Sequence, residues 1–354
     1  MASSQIVSNQ TLRIIDANLN RIGEGLRLLE DMARLLLNNT PLTKQLKAMR
    51  HELEVGDLSL KKQLLQARNA ESDVGMKIEV PEQQKERDLP ATVIANTRRI
   101  QQSLRVIEEI AKIPGISLET ERFKKARFSL YTIEREFISR LLRRDKSERI
   151  SGLYAVIDTG FLKGTSHSDM ASQLIEGGAG IIQLRDKATP KNELLPIALE
   201  LKSLCTKSNT LFIVNDHLDI VLAADADGLH IGQEDLPLAS ARRLLPMDRI
   251  IGCSVTTVEQ ATAAEAEGAD YIAVSGIYPT TSKEAVEVVG LEVLRLIKSK
   301  VKLPVVAIGG INVNNIADTI SAGAKAVAVI SALLKAKSPG KVARQMVDII
   351  ERKR

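Results

Sequence analysis

Aromatic side chains make up only 3% of the 354 residues, and tryptophan is absent. The core must therefore be aliphatic, and a platform that stacks nucleic-acid bases on aromatic rings is argued against. No apolar run approaches the ~20 residues that cross a membrane. The opening stretch, MASSQIVSNQ, lacks the basic-then-apolar layout of a secretory signal. Cysteine is scarcer still: Cys205 and Cys253 lie 48 positions apart with no CxxC pairing. That spacing indicates neither a disulfide framework nor a zinc site, and a reducing cytoplasmic setting is expected. The length exceeds most single domains, so two are expected at roughly 100–200 residues each.

What is present divides unevenly. Residues 1–150 carry 27 Lys and Arg against 21 Asp and Glu, whereas the remainder carries 22 against 23. A basic first part can suit nucleic acid, membranes or phosphorylated ligands. Here the basic residues are interleaved with acids, which reads as a solvated helical surface. Residues 1–145 form the expected all-α domain. Apolar residues at Ile15, Leu19, Ile22, Leu26, Leu29, Ala33 and Leu36 have helical spacing. The stretches near 42–66, 91–112 and 119–142 behave alike. The polar stretch 68–89, with Gly75 and Pro81, reads as a loop. There is also an internal repeat. NLNRIGEGLRLLEDMAR from Asn18 matches NTRRIQQSLRVIEEIAK from Asn96 at a constant offset of 78. It reads as a duplicated helical hairpin, or as two helices about a pseudo-twofold axis. Pairing of Arg27 with Glu30 and of Arg105 with Glu108 at i,i+3 accounts for the charges, though not for the repeated Asn. The charged run RRDKSER, 143–149, reads as the linker.

From residue 152 the period changes. Eight short apolar runs alternate with helical stretches: 152–158, 180–186, 211–216, 228–232, 250–255, 271–276, 305–310 and 326–331. Near-continuous Val, Ile and Leu runs separated by helices indicate parallel strands covered on both faces. Eight such units over residues 146–354 predict a (β/α)8 TIM barrel. The alternative, a doubly wound sheet, would carry a GxGxxG turn after its first strand, and none is there.

In such a barrel the C-terminal strand ends build the active site. This explains GIIQLRDKAT, 180–189, where Gln183, Arg185 and Lys187 share one alternating face. An unpaired charge inside a strand costs several kcal/mol to desolvate, whereas one at the mouth does not. The other strand ends carry Asn215 and Asp216, then His230 with Gln233, Glu234 and Asp235, then Ser254, then Thr280, Thr281, Ser282 and Lys283. Strand seven ends in Gly309 and Gly310, and strand eight in Ile330 and Ser331. Basic groups with Asn and hydroxyls suit phosphate, and Asp216 with Asp235 suits Mg2+, a hard ion usually held by one or two carboxylates plus substrate oxygens. The glycine pair and the next loop suit a second phosphate on backbone N–H groups. Each residue also has a plainer reading. Arg185 could form a rim salt bridge, and Asp216 and Asp235 could cap the following helices. His230 could be a packed residue, and Cys253 an apolar filler.

The blocks QLRDK, VNDHLDIVLAADADGLHIGQEDL, IIGCSVTT, GADYIAVSGIYPTTSK and VVAIGGIN with AGAKAVAVISAL resemble, in order, those of thiamine-phosphate synthases. The resemblance covers essentially all of 150–350. It implies a Mg2+-dependent alkyl transferase that joins a hydroxymethylpyrimidine diphosphate to a thiazole phosphate, or its carboxylate, releasing diphosphate. It further implies that Gln183, Arg185, Lys187, Asn215, Ser254 and Lys283 bind the pyrimidine diphosphate, with Arg185, Lys187, Ser254 and Lys283 serving catalysis. Asp216 and Asp235 would hold the metal. Thr280, Thr281, Ser282, Gly310, Ile330 and Ser331 would hold the thiazole phosphate; Ser282 stands where the family more usually has Thr. Partners would be these small molecules, not nucleic acid or membrane, with self-association left open. A thiazole tautomerase on the same barrel would have no diphosphate to hold, so it would not need Arg185, Lys187, Asp216, Asp235 and Lys283. A binding module on a degenerate barrel would bind neither heterocycle. The helical part, with ANLNRIGEGLRLLED and SDVG, resembles an extension fused to some of these synthases. That resemblance implies phosphorylation of the pyrimidine monophosphate, although no GxxxxGK[ST] is present. Dimerisation and a purely structural role are the alternatives.

Overall fold

Helical and strand periodicities fall into separate units in a computed structural model that describes residues 7–69, 71, 73, 86–162, 164–280 and 287–353. One unit ends at Leu142 and the other begins at Arg143. The first contains α1 (Asn9–Asp31), a π-helical turn (Met32–Leu36), α2 (Thr40–Glu52), α3 (Leu58–Ala67), α4 (Leu89–Ile110) and the greater part of α5 (Thr120–Glu148). Side-chain caps fix several starts: Ser8 Oγ accepts from Thr11 N, Asn39 Oδ1 from Leu42 N, and Asp88 Oδ1 from Ala91 N. The stretch near 42–66, expected to be one helical region, is thus two helices broken after Glu52. Of the loop expected at 68–89, most lies outside the described residues.

The two copies of the repeat lie on α1 and α4. α1 and α4 pack against each other, and a Cβ at Gly25 would stand 2.6 Å from Ile100 Cγ1, so glycine permits the close crossing. Each repeat buries a glutamate. Glu30 accepts from Arg50 of α2 at 2.9 Å with Arg27 3.6 Å away. Glu108 accepts from Arg127 of α5 at 2.6 Å and from Arg105 at 3.1 Å. Both carboxylates therefore bind their own helix and the next one. Burial opposes the charge of Glu108, yet Arg127 and Arg105 hold its carboxyl below the usual carboxylate range. The repeated asparagines also behave alike: Asn18 and Asn96 each donate to the carbonyl four residues back, at 2.8 Å.

The second unit is a closed barrel of eight parallel strands in sequence order. They are β1 (Gly152–Asp158), β2 (Ile181–Arg185), β3 (Leu211–Asn215), β4 (Gly228–Ile231), β5 (Ile250–Val255), β6 (Tyr271–Ser275), β7 (Val305–Ile308) and β8 (Ala326–Val329). Alternation divides the core in two. Leu153, Ala155 and Ile157 of β1 join the aliphatic layer beneath the outer helices, as do Ile182 and Leu184 of β2 and Cys253 of β5. Tyr154, Val156, Ile181, Leu211, Ile213, Tyr271 and Ala273 fill the interior, with Ile150 added. Cys253 is thus an apolar filler on the outer face, and burial pushes its thiol up to about 11.

The charged run 143–149 is not a linker. Helix α5 continues through Glu148, and Arg143 and Lys146 within the run are paired instead of solvated. Arg143 is 5% exposed and donates to Asp270 at 2.8 Å and to Met247 O. Asp270 also accepts from Arg242 and from Ile251 N, so the buried charge is fully satisfied.

Replacing Glu108 with Ala leaves Arg127 half-buried without its carboxylate. The expected cost is about 3 kcal/mol, read as a lower urea midpoint for the helical unit with the barrel transition unchanged.

Candidate active site

The strand register sets the mouth. Val156 pairs with Gln183 and Asp158 with Arg185, Asn215 lies beside His230, and Ser254 beside Ala273. The inward positions therefore change from aliphatic at the base to polar at the C-terminal ends. There they surround a cavity of about 150 Å³ lined by Gln183, Arg185, Lys187, Asn215, His230 and Ser254. Thr280, Gly310, Ile330 and Ser331 line the same cavity. Thr281, Ser282 and Lys283 lie outside the described residues.

Adjacent residues of the Arg185–Asp186–Lys187 run have different tasks. Arg185 donates to Asp158 at the end of β1, and Asp158 also accepts from Gly160 N. The rim ion pair expected as the plain reading is present, on a residue that also lines the cavity. Lys187 donates to Asp216. Asp186 is turned into the loop, 3% exposed, and accepts from Ala188 N, Thr189 N and Thr189 Oγ1 at 2.9, 2.7 and 2.7 Å. Burial works against its charge, but these bonds and one from Thr159 hold the carboxyl down at about 2.

Asp216 adopts φ +61°, a left-handed conformation that aspartate tolerates better than most residues. Its carboxyl interacts with that of Asp235. Burial, and then this neighbour, push Asp216 up. Asp235 is held low despite its own burial, by Asp216, by the Gly232 N–H and by Lys187. Its Oδ2 accepts from Gly232 N at 2.6 Å. Neither aspartate is a cap: the helices Leu218–Ala223 and Leu238–Leu244 start at His217 and Pro237 without a side-chain cap. Two carboxyls pressed together beside an ammonium form a hard-oxygen donor set that a divalent cation would relieve. Among the described residues no cluster of three potential ligands exists, so substrate oxygens and water would complete such a shell.

Behind the mouth the interior is polar too. Gln183 Nε2 donates to Tyr154 Oη at 2.7 Å, and Tyr154 Oη lies 3.0 Å from Tyr271 Oη. Tyr271 Oη is 3.1 Å from His230 Nδ1, and His230 Nε2 is 2.9 Å from Ser254 Oγ. His230 is thus the packed residue of the plain reading, with both ring nitrogens engaged. Sequence reasoning missed Tyr154, Tyr271, Asp158 and Asp186. A signal existed for the tyrosines: two of only four stand two residues before inward positions on their strands. After β7, Gly309 and Gly310 take φ +112° and +64°. A Cβ at Gly310 would stand 2.4 Å from Pro279 O, so glycine brings the loops after β6 and β7 together.

Fold and mouth together define a (β/α)8-barrel enzyme with one cavity at its mouth; Arg185 and Lys187 line it, while Asp216 and Asp235 do not and Asp216 reaches it only through its pair with Lys187. The comparisons give the family. A model described as thiamine monophosphate synthase matches residues 153–333, and one described as the ThiD2 family matches 13–136. A curated thiamine-phosphate synthase of Nostoc punctiforme is 37% identical, over 98% of this chain and 96% of its own length. One from Methanospirillum hungatei is 48% identical over 56% of this chain and 97% of its own. A solved thiamine phosphate pyrophosphorylase from Pyrococcus furiosus, 38% identical, covers 58% of this chain and 98% of that one at a TM-score of 0.54. The chain belongs to the thiamine-phosphate synthase family, and its activity is the formation of thiamine phosphate in thiamine biosynthesis. Among the described residues no helix is long and apolar enough to cross a membrane.

Asp186→Ala should remove three loop bonds, at about 2 kcal/mol in total, and raise the KM for the ligand of the neighbouring Lys187. Because the folded pKa is depressed, the contribution of Asp186 should persist above the ordinary carboxylate range. It should disappear as the pH falls toward 2, a loss absent from the pH-dependent unfolding of the variant.

Proposed function

We propose that the cavity binds a hydroxymethylpyrimidine diphosphate and a thiazole phosphate together, with Mg2+ on Asp216 and Asp235. The observation that supports this most is the convergence of Arg185, Lys187, Asn215 and Ser254 on one cavity, with Lys187 bound to one of two interacting aspartates. In this reading Gln183 and Ser254 hold the pyrimidine, while Arg185, Lys187, Asn215 and Lys283 hold its diphosphate. Thr280, Thr281, Ser282, Gly310, Ile330 and Ser331 hold the thiazole phosphate. When bound, the metal supplies positive charge to the departing diphosphate.

Arg185 and Lys187 add to that charge as the methylene–oxygen bond breaks. The electron-rich aminopyrimidine spreads positive charge from its methylene, and the thiazole nitrogen then forms the new C–N bond. No protein nucleophile is required, consistent with both thiols being free and buried. Arg185, Lys187 and both aspartates favour this reading over a tautomerase, which has no diphosphate to hold.

For the helical unit we infer the preceding step, phosphorylation of the pyrimidine monophosphate. Support comes from the match to the ThiD2 family and from a cleft of about 560 Å³ that includes Asn20, Arg27, Arg50, Lys61 and Arg68. Incubating the full chain with the monophosphate and a nucleoside triphosphate tests it; absence of pyrimidine diphosphate removes this role.

For the barrel, a coupling assay should form thiamine phosphate only with both heterocycles and Mg2+. Asp216→Ala and Lys187→Ala should each lower turnover ~10²-fold or more, with melting temperatures near that of the parent. Calorimetric Mg2+ binding should be lost in Asp216→Ala. Near-parental turnover in both variants contradicts the assignment.

A further inference from the structure

A barrel interior this aliphatic has little use for two phenols and an imidazole, yet they sit beneath the mouth at 0–7% exposure. Room is made for them. At Gly252 a Cβ would stand 2.0 Å from Tyr271 Cζ, so the missing side chain is the space that the ring occupies. The His230 ring stacks on Tyr271 with centroids 5.6 Å apart. Together with Gln183 and Ser254 they form one unbroken hydrogen-bond chain spanning β2, β1, β6, β4 and β5. Both ends of the chain line the cavity.

Such a chain has a direction, because each hydroxyl has one proton to give. Burial pushes both phenols well above their ordinary range, so both protons stay in place. The Gln183 amide N–H donates to Tyr154, which must then donate to Tyr271, and Tyr271 to His230 Nδ1. His230 is left with its proton on Nε2, donated to Ser254 Oγ, and the Ser254 proton is turned to the cavity. At the other end the Gln183 amide oxygen is left over as an acceptor. Reversing the amide reverses every link, so the two ends always carry opposite character. Arg185, two residues along the same inward face, favours the amide oxygen toward the cavity.

We propose that this chain makes Gln183 and Ser254 a coupled acceptor–donor pair that selects an amino-substituted azine edge over its oxo counterpart. An exocyclic amino N–H meets the Gln183 oxygen while the ring nitrogen accepts from Ser254. An oxo ring presents the opposite pattern and demands reversal of all five groups at once. Tyr154, Tyr271 and His230 are positioning residues: they act through the two ends. The inference rests on the proposed pyrimidine site, and assigns its selectivity to groups behind it.

The test compares 4-amino- and 4-oxo-pyrimidine diphosphates in the coupling assay. The parent enzyme should favour the amino compound strongly. Tyr271→Phe and Tyr154→Phe each cut the chain at a different link. Both should lower the amino/oxo ratio of kcat/KM on the order of ten-fold or more, chiefly through the KM of the amino substrate. A purely structural role would lower both substrates equally and leave the ratio unchanged, which overturns the proposal. Nitrogen-15 spectra of the unliganded parent protein, which has only four histidines, read the chain without any substrate. His230, assigned by its loss in His230→Gln, should show a single tautomer protonated at Nε2, and mixed tautomers in Tyr271→Phe. Mixed tautomers in the parent protein overturn the proposal even if neither Phe variant folds. If the parent protein fails to couple the amino compound at all, the pyrimidine site fails instead, and the spectra still decide whether the chain is directional.

Discussion

Closure of eight parallel strands leaves every second side chain pointing into a space with no water at its base and solvent at its rim. That geometric constraint governs the rest of the barrel. At the base the inward positions must be apolar or fully hydrogen-bonded, because an unpartnered polar group there would cost about 1–3 kcal/mol. At the rim the same positions can carry charge. One strand can therefore hold Ile181 in the packed interior, Gln183 at the boundary and Arg185 beside the cavity without changing its backbone.

The boundary layer is where the packed interior meets the cavity. Gln183 is 5% exposed and yet reaches the cavity, and its amide is held from below by Tyr154. Above that layer, charges are arranged by pairing. Arg185 is braced by Asp158, Lys187 by Asp216, and Asp216 by Asp235. These pairs fix the cations of the rim in place, and preset charges lower the reorganisation needed when charge develops beside them. Asp186 serves the same end from outside by fastening the loop that carries Lys187.

The helical unit applies a different rule to a similar problem. Its repeated helices bury Glu30 and Glu108, and each is tolerated because arginines from two helices meet it. The sequence showed the i,i+3 half of each cluster, since that partner is fixed by helical geometry. Arg50 and Arg127 were invisible, because they come from the following helices. The run 143–149 was misread for the same reason. A string of charges looks solvated until Asp270, more than 120 residues away, is brought against Arg143.

By itself the sequence determined the periods: helical spacing up to α5, alternation afterwards, eight strands, and the polar residues that end them. These are local properties, set by the residue's own neighbours and by the fixed repeat of helix or strand. Only the tertiary structure decided which side chains meet. It joined Asp216 to Asp235, turned Asp186 away from the cavity between two residues that line or reach it, and linked Tyr154 to Tyr271 across 117 positions. Such pairings depend on barrel closure and register, which no single segment encodes, because they arise when distant strands share one interior.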